Sequence, residues 1–228
     1  MTQFGFRHGD SRYPFFWESS RQPAARWHAS GEGPVQYLAD TPDGAWAEFL
    51  RHEEITDPAD LAGVDRRLWA VELPGDIDAA AAPDLDQRDL FGDLASYSAC
   101  QAEARRLRAD GAQAIVAPSA ALRPGEAGGQ LTDGGLKDAP ERDGVVWVLV
   151  GARPDLRGWA AVDSGSPPLR VLWRVRYMGG SPAPGERRRG ERRSDRDRRR
   201  VLDLDWLQRV GRSRRAGPDR RGGPDRRY

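Results

Sequence analysis

Apolar and polar positions alternate along the first 178 residues in short runs, and the periods of those runs predict a mixed set of strands and helices. Tyr13–Trp17 and Val35–Ala39 are apolar, aromatic stretches of strand length. Thr41-Pro42-Asp43 then has the grammar of a helix start: a hydroxyl at the cap, proline at the first position and an acid in the first turn. Within that helix, which should run to about His52, Ala45, Trp46, Phe49 and Leu50 form one apolar face. Arg67–Leu73 alternates as a half-buried strand does. Ser96 to Asp110 reads as a second helix, with Ala99, Cys100, Ala104 and Leu107 on one side and Gly111 at its stop. Ala114–Ala117, Val145–Val150 and Leu169–Tyr177 complete the set as strands, the last two rich in the valine and tryptophan of central strands. The expected class is α/β in the α+β sense, a mixed sheet core with flanking helices over residues 1–178.

Two stretches break the pattern. Residues 123–144 are rich in Gly, Asp and Pro, have no period, and read as a long mobile loop beside the site. After Met178 comes a Gly/Ser/Pro linker and then a low-complexity segment that ends in two copies of Gly-Pro-Asp-Arg-Arg. Residues 179–228 are therefore expected to be mostly disordered, because such a composition buries too little apolar surface to offset its ordering entropy. One apolar island, Val201–Val210, interrupts that segment and has the length of a short helix that needs a partner.

Charge sharpens this division. The chain has a net charge of +1, yet from Glu186 onward 17 arginines face eight acids, about +9, which leaves about −8 for the rest. Lys137 is the one lysine. No run of 18 apolar residues exists and the N-terminus lacks the charged-then-apolar pattern of a signal peptide, so a soluble, cytoplasmic protein is expected. The single cysteine, Cys100, reads as a buried helical thiol, and no metal-ligand cluster accompanies it.

Several residues could carry chemistry. Glu48 falls at the margin of the apolar helix face, where a carboxylate either stays solvated or looks into a cleft. Arg26, in Ala-Ala-Arg-Trp-His, offers a planar fork for phosphate or carboxylate, although the chain has 35 arginines. Tyr37 can pack in the core or stack on a planar ring. Ser119, after Val-Ala-Pro, is either a helix cap or a hydrogen-bonding hydroxyl. His28 reads as a packed or surface histidine.

Taken together, Phe6-Arg7-His8, Arg26-Trp27-His28 through Tyr37-Leu38-Ala39, Ala45-Trp46-Ala47-Glu48-Phe49-Leu50 and Ala117-Pro118-Ser119-Ala120 resemble, in order and spacing, the motifs of the RES domain family. The likeness covers about residues 4–178; His28 stands where asparagine is common, and the region after Ser119 matches weakly. The resemblance implies a fold like the ADP-ribosyltransferases and cleavage of NAD at the nicotinamide–ribose bond, with no metal. It assigns Glu48 to the ribose cation, Arg26 and Arg7 to the diphosphate, Tyr37 to the nicotinamide ring and Ser119 to the nicotinamide ribose or amide. It also implies a helical, DNA-binding antitoxin of the Xre type that blocks the NAD pocket. Water or phosphate would accept the ADP-ribose. Two other readings stay open: transfer of ADP-ribose to a protein or nucleic acid, and a non-enzymatic binder whose arginine tail grips nucleic acid or an acidic partner. No glycine-rich dinucleotide fingerprint supports hydride transfer.

Overall fold

The computed structural model describes residues 2–10, 15, 16, 18, 19 and 22–178. All of these fall in the first of two compact units, Met1–Ser181, and the expected disordered segment 179–228 lies outside the described residues. So do residues 13, 14 and 17 of the expected Tyr13–Trp17 strand.

Six antiparallel strands form the main sheet: β1 (Phe4–Gly9), β2 (Val35–Ala39), β3 (Arg66–Glu72), β4 (Ala114–Pro118), β7 (Val145–Val150) and β8 (Gly158–Gly165). Their order is β4-β7-β2-β1-β3-β8. Pairing is continuous in two blocks. β1 pairs β3 from Phe4↔Glu72 to Gly9↔Arg67, and β2 pairs β7 from Val35↔Val150 to Ala39↔Val146. Between the blocks, β1 and β2 share the single register pair Phe6↔Ala39. Beyond that pair the sheet forks, and the fork makes room for a site.

Two helices pack on the face that carries Phe6, Tyr37 and Ala39. α1 (Pro42–His52) begins where the sequence places it: Thr41 is extended and its Oγ1 accepts the Gly44 N–H at 2.9 Å, with Pro42 at the first turn. It buries Ala45, Trp46, Ala47, Phe49 and Leu50 against Leu68, Val171 and Leu172. α3 (Tyr97–Ala109) lays Cys100, Ala104 and Leu107 on Val35, Ile115 and Val148. Gly111, at φ +96°, takes the left-handed turn that ends it. Burial of Cys100 on α3 agrees with the expectation of a buried helical thiol.

Two expectations are corrected. Leu169–Tyr177 is not a strand: Leu169–Leu172 is a helical turn (α4), followed by the single bridge Leu122↔Val175. Buried Val171, Leu172 and Val175 against exposed Leu169 and Trp173 follow a helical spacing, not a period of two. The sheet's outer strand is instead β8, whose residues are mostly exposed and carry little apolar pattern. Residues 123–144 are not a structureless loop either. They contain a hairpin of β5 (Gln130–Thr132) and β6 (Leu136–Asp138), all six residues exposed, turning at Asp133-Gly134-Gly135. A short helix, α2 (Gln87–Phe91), precedes α3 and was not foreseen.

Candidate active site

A cavity of about 260 Å³ opens at the fork between β1 and β2, walled also by α1 and the start of α3. Arg7, Arg26, Tyr37 and Glu48, four residues singled out from the sequence, all line it. No residue of 123–144 lines the cavity among the described residues, although Gly144 O of that segment accepts the Ser119 N–H at 2.8 Å.

Among the described residues, Glu48 is the one acid on the cavity wall. Its position follows from α1: the buried face of that helix fixes the backbone, and the Glu48 side chain leaves from the margin of that face toward the fork. Ser119 does not line the cavity but stands behind the carboxylate, where its Oγ–H donates to Glu48 Oε1 at 3.1 Å. Ser119 is fixed in turn, because its Oγ accepts the Leu122 N–H at 3.1 Å and its own N–H donates to Gly144 O at 2.8 Å. Burial pushes the Glu48 carboxyl above the ordinary glutamate range, and this outweighs the opposing pull of Arg51, Ser119 and Arg26.

The arginines play unlike parts. Arg7 reaches across the fork, its Nη1 donating to Gln36 Oε1 at 2.7 Å, and burial lowers its pKa to about 10. Arg26 is 8% exposed and lies over the Tyr97 ring at 4.8 Å. Its Nη1 donates to Asp89 O and Ser96 Oγ, and its Nη2 to Gly92 O at 2.7 Å, so it tethers the chain between α2 and α3. Tyr37 turns its ring to the cavity, while its hydroxyl accepts the Trp27 N–H at 3.1 Å and lies 2.9 Å from His28 Nδ1. Desolvation drives the Tyr37 phenol well above its ordinary range, which keeps it neutral. His28 is buried at 3% exposure, and burial lowers its pKa. It is a packed histidine, in line with the bland reading of the sequence.

Four wall residues went unnoticed in the sequence: His8, Arg51, His52 and Tyr97. His8, stacked on Trp46 and tilted against Phe49, is held uncharged by burial and by nearby Arg66, Arg7 and His52. Arg51 had a usable signal, since it falls four residues after Ala47 on the inner side of α1. The wall thus combines one acidic residue with three arginines, of which Arg51 and Arg26 act on the Glu48 carboxyl, an arrangement suited to a ligand with both a cationic centre and an anionic portion. Among the described residues no group of three or more His, Cys, Asp or Glu is gathered for a metal, and no helix is long and apolar enough to cross a membrane.

The chain is similar in sequence to known proteins. The sequence model of the RES domain matches residues 5–132. A protein named Toxin Res from Pseudomonas putida is 44% identical over 62 residues, 27% of this chain and 41% of that protein. A probable NAD(+) phosphorylase from Mycobacterium tuberculosis is 33% identical over 123 residues, 50% of this chain and 57% of that protein. The chain therefore spans about half the length of the curated relatives it matches. Among solved structures, the M. tuberculosis MbcT–MbcA toxin–antitoxin complex aligns with a TM-score of 0.45 at 18% identity, covering 72% of this chain and 86% of that one.

Proposed function

This chain belongs to the RES domain family, and we propose that it cleaves NAD at the nicotinamide–ribose bond and passes the ADP-ribose to water or phosphate. The observation that carries the reading is Glu48, a lone carboxylate on the wall of the cavity, aimed by Ser119 and surrounded by arginines. The name of the mycobacterial relative, a probable NAD(+) phosphorylase, supports the same substrate.

The chemistry asks for little more. When the ribose C1′–N bond breaks, its electron pair stays with the nicotinamide nitrogen, which goes from cationic to neutral. No proton has to be delivered to the leaving group. Positive charge grows on the ribose instead, as in glycoside cleavage, and a fixed carboxylate beside it lowers the barrier. Glu48 takes that role. Ser119 acts through Glu48 by holding one carboxylate oxygen, and Arg7 and Arg26 supply the positive field for the diphosphate. The face of the Tyr37 ring is left to meet the nicotinamide, its hydroxyl being engaged with Trp27 and His28. Attack by a water oxygen on C1′, with loss of one proton, gives ADP-ribose; attack by a phosphate oxygen gives its 1-phosphate.

The test is nicotinamide release by the purified chain with and without phosphate. Glu48→Gln keeps the shape and removes the charge, and should slow release by about 10²-fold or more. Equal rates remove Glu48 from the mechanism. Labelled NAD separates soluble products from ADP-ribose left on a macromolecule, the outcome that would favour transfer instead. An enzyme that depletes NAD must be held in check in the cytoplasm where it works. An antitoxin covering the cavity, of the Xre type that the family resemblance implies, is the partner we assign to it.

A further inference from the structure

One guanidinium near Glu48 has no part in the scheme above. Arg51 sits one helical turn after Glu48 on α1, is 4% exposed and forms part of the cavity wall. A buried arginine must satisfy its donors, and Arg51 does so with main-chain carbonyls from three separate segments. Nη1 donates to Ala120 O and to Arg176 O, the latter at 3.0 Å. Nη2 donates to Phe91 O at 3.1 Å and Gly92 O at 2.5 Å. Ala120 directly follows Ser119, the residue that holds the Glu48 carboxylate. Gly92 O is also the acceptor of Arg26 Nη2, so two cavity arginines close on the same carbonyl.

We propose that Arg51 is a positioning residue for Glu48: its guanidinium locks the Ser119–Ala120 turn and the Phe91–Gly92 wall around the carboxylate, and brings a positive charge to the site from the same helix. The inference rests on the proposed cleavage of NAD. The four hydrogen bonds that Arg51 donates go to neutral carbonyls, none of which cancels its charge. Glu48 is the strongest favourable charge acting on Arg51, as Arg51 is for Glu48. Other groups facing this pair are Arg26 from the chain before β2, Tyr97 from α3 and Arg176 from the chain after α4, along with Ser119. Arg7 and His8 of β1 and His52 of α1 border the same cavity. Of these, Arg51 alone combines a charge on the Glu48 helix with direct bonds to the turn that aims Glu48.

The test uses the full chain and NAD, reading nicotinamide release across pH. Arg51→Met should lower kcat by about tenfold or more and leave KM within about threefold, since the lost interaction acts on the reacting geometry. The acid limb of its pH profile should move to higher pH, because Glu48 loses the strongest favourable charge acting on it. Added to Glu48→Gln, Arg51→Met should cost less than about twofold further, as residues that act as a unit do. A limb that stays in place, or two losses that multiply, would overturn the proposal and leave Arg51 a strut of the fold. Arg51→Lys covers the case in which the methionine variant does not fold. It should keep the acid limb at its wild-type position and still lose kcat, since an ammonium cannot span four carbonyls; wild-type kcat in that variant overturns the positioning role. A wild-type chain that releases no nicotinamide fails the proposed function itself, a result distinct from an active wild type with an unmoved limb.

Discussion

Glu48 is kept at its post against the preference of the fold. Burial raises its carboxyl pKa above the ordinary value of 4.5, so the folded chain holds that proton more tightly than the unfolded chain does. Below about pH 4.5 both states are protonated and nothing is lost. As pH rises from there, the unfolded chain ionises first, and stability declines until Glu48 has ionised in the folded state as well. Glu48→Gln has no such loss. Its melting temperature relative to wild type should therefore climb between pH 4.5 and pH 8, with the variant gaining stability while losing activity. Melting curves at the two pH values check this, and a constant difference would mean that Glu48 is not penalised by its surroundings. Much of this site was legible in the sequence. Arg7, Arg26, Tyr37 and Glu48 converge on one cavity and Ser119 reaches Glu48, although strand and helix separate them. Arg51 and Arg26 as tethers were not legible. Their role as tethers depends on which carbonyls the fold brings to them, and helix phasing or a motif match does not show that.

Elements were legible where local rules decide and illegible where tertiary packing does. α1 announced both of its ends, through the Thr41 cap and the basic Arg51 and His52 of its last turn. β7, with Val146, Val148 and Leu149 buried, could hardly be anything but a central strand. By contrast β8 belongs to the sheet only because β3 offers it a free edge, and its exposed Ala160, Ala161 and Asp163 leave no apolar signature. The segment of α2 escaped notice for a related reason: it has no buried residue, and two arginines hold its end by the main chain. Gly92 is where that attachment is made. A methyl group built there would stand 2.6 Å from Arg88 O and 2.8 Å from the Ser96 Cβ, and the first of these is backbone that cannot swing away. Gly92→Ala should then cost about 1–3 kcal/mol in a denaturant melt. It should also slow nicotinamide release, because the displaced carbonyl is the one shared by Arg26 and Arg51. Loss of stability with full activity would separate this segment from the site.

At the scale of the whole molecule, charge and core are divided between different parts of the chain. Every core residue among the described ones falls between Phe16 and Tyr177, while 17 of the 36 basic residues follow Glu186. Tyr177 closes the described part firmly, its hydroxyl donating to Ile55 O at 2.7 Å. Among the described residues, the wall of the cavity reaches as far as Met178. We therefore propose that residues 1–178 hold the complete catalytic machinery and that the arginine-rich segment sets only what the molecule adheres to. A chain ending at Ser181 should melt within a degree or two of the full chain, roughly the shift that a few tenths of a kcal/mol produce in a domain of this size. Its nicotinamide release should be unchanged. Adhesion is where the two chains should part. The full chain carries about +9 from Glu186 onward, so it should bind heparin at low salt and let go as salt rises, because each neutralised anion gives back a counterion. Eight acids interleaved with those arginines keep that grip weak. The shorter chain, with a net charge of about −8, should pass through heparin without delay. A truncated chain that loses nicotinamide release while keeping its melting temperature would place part of the machinery beyond Ser181 and overturn this division.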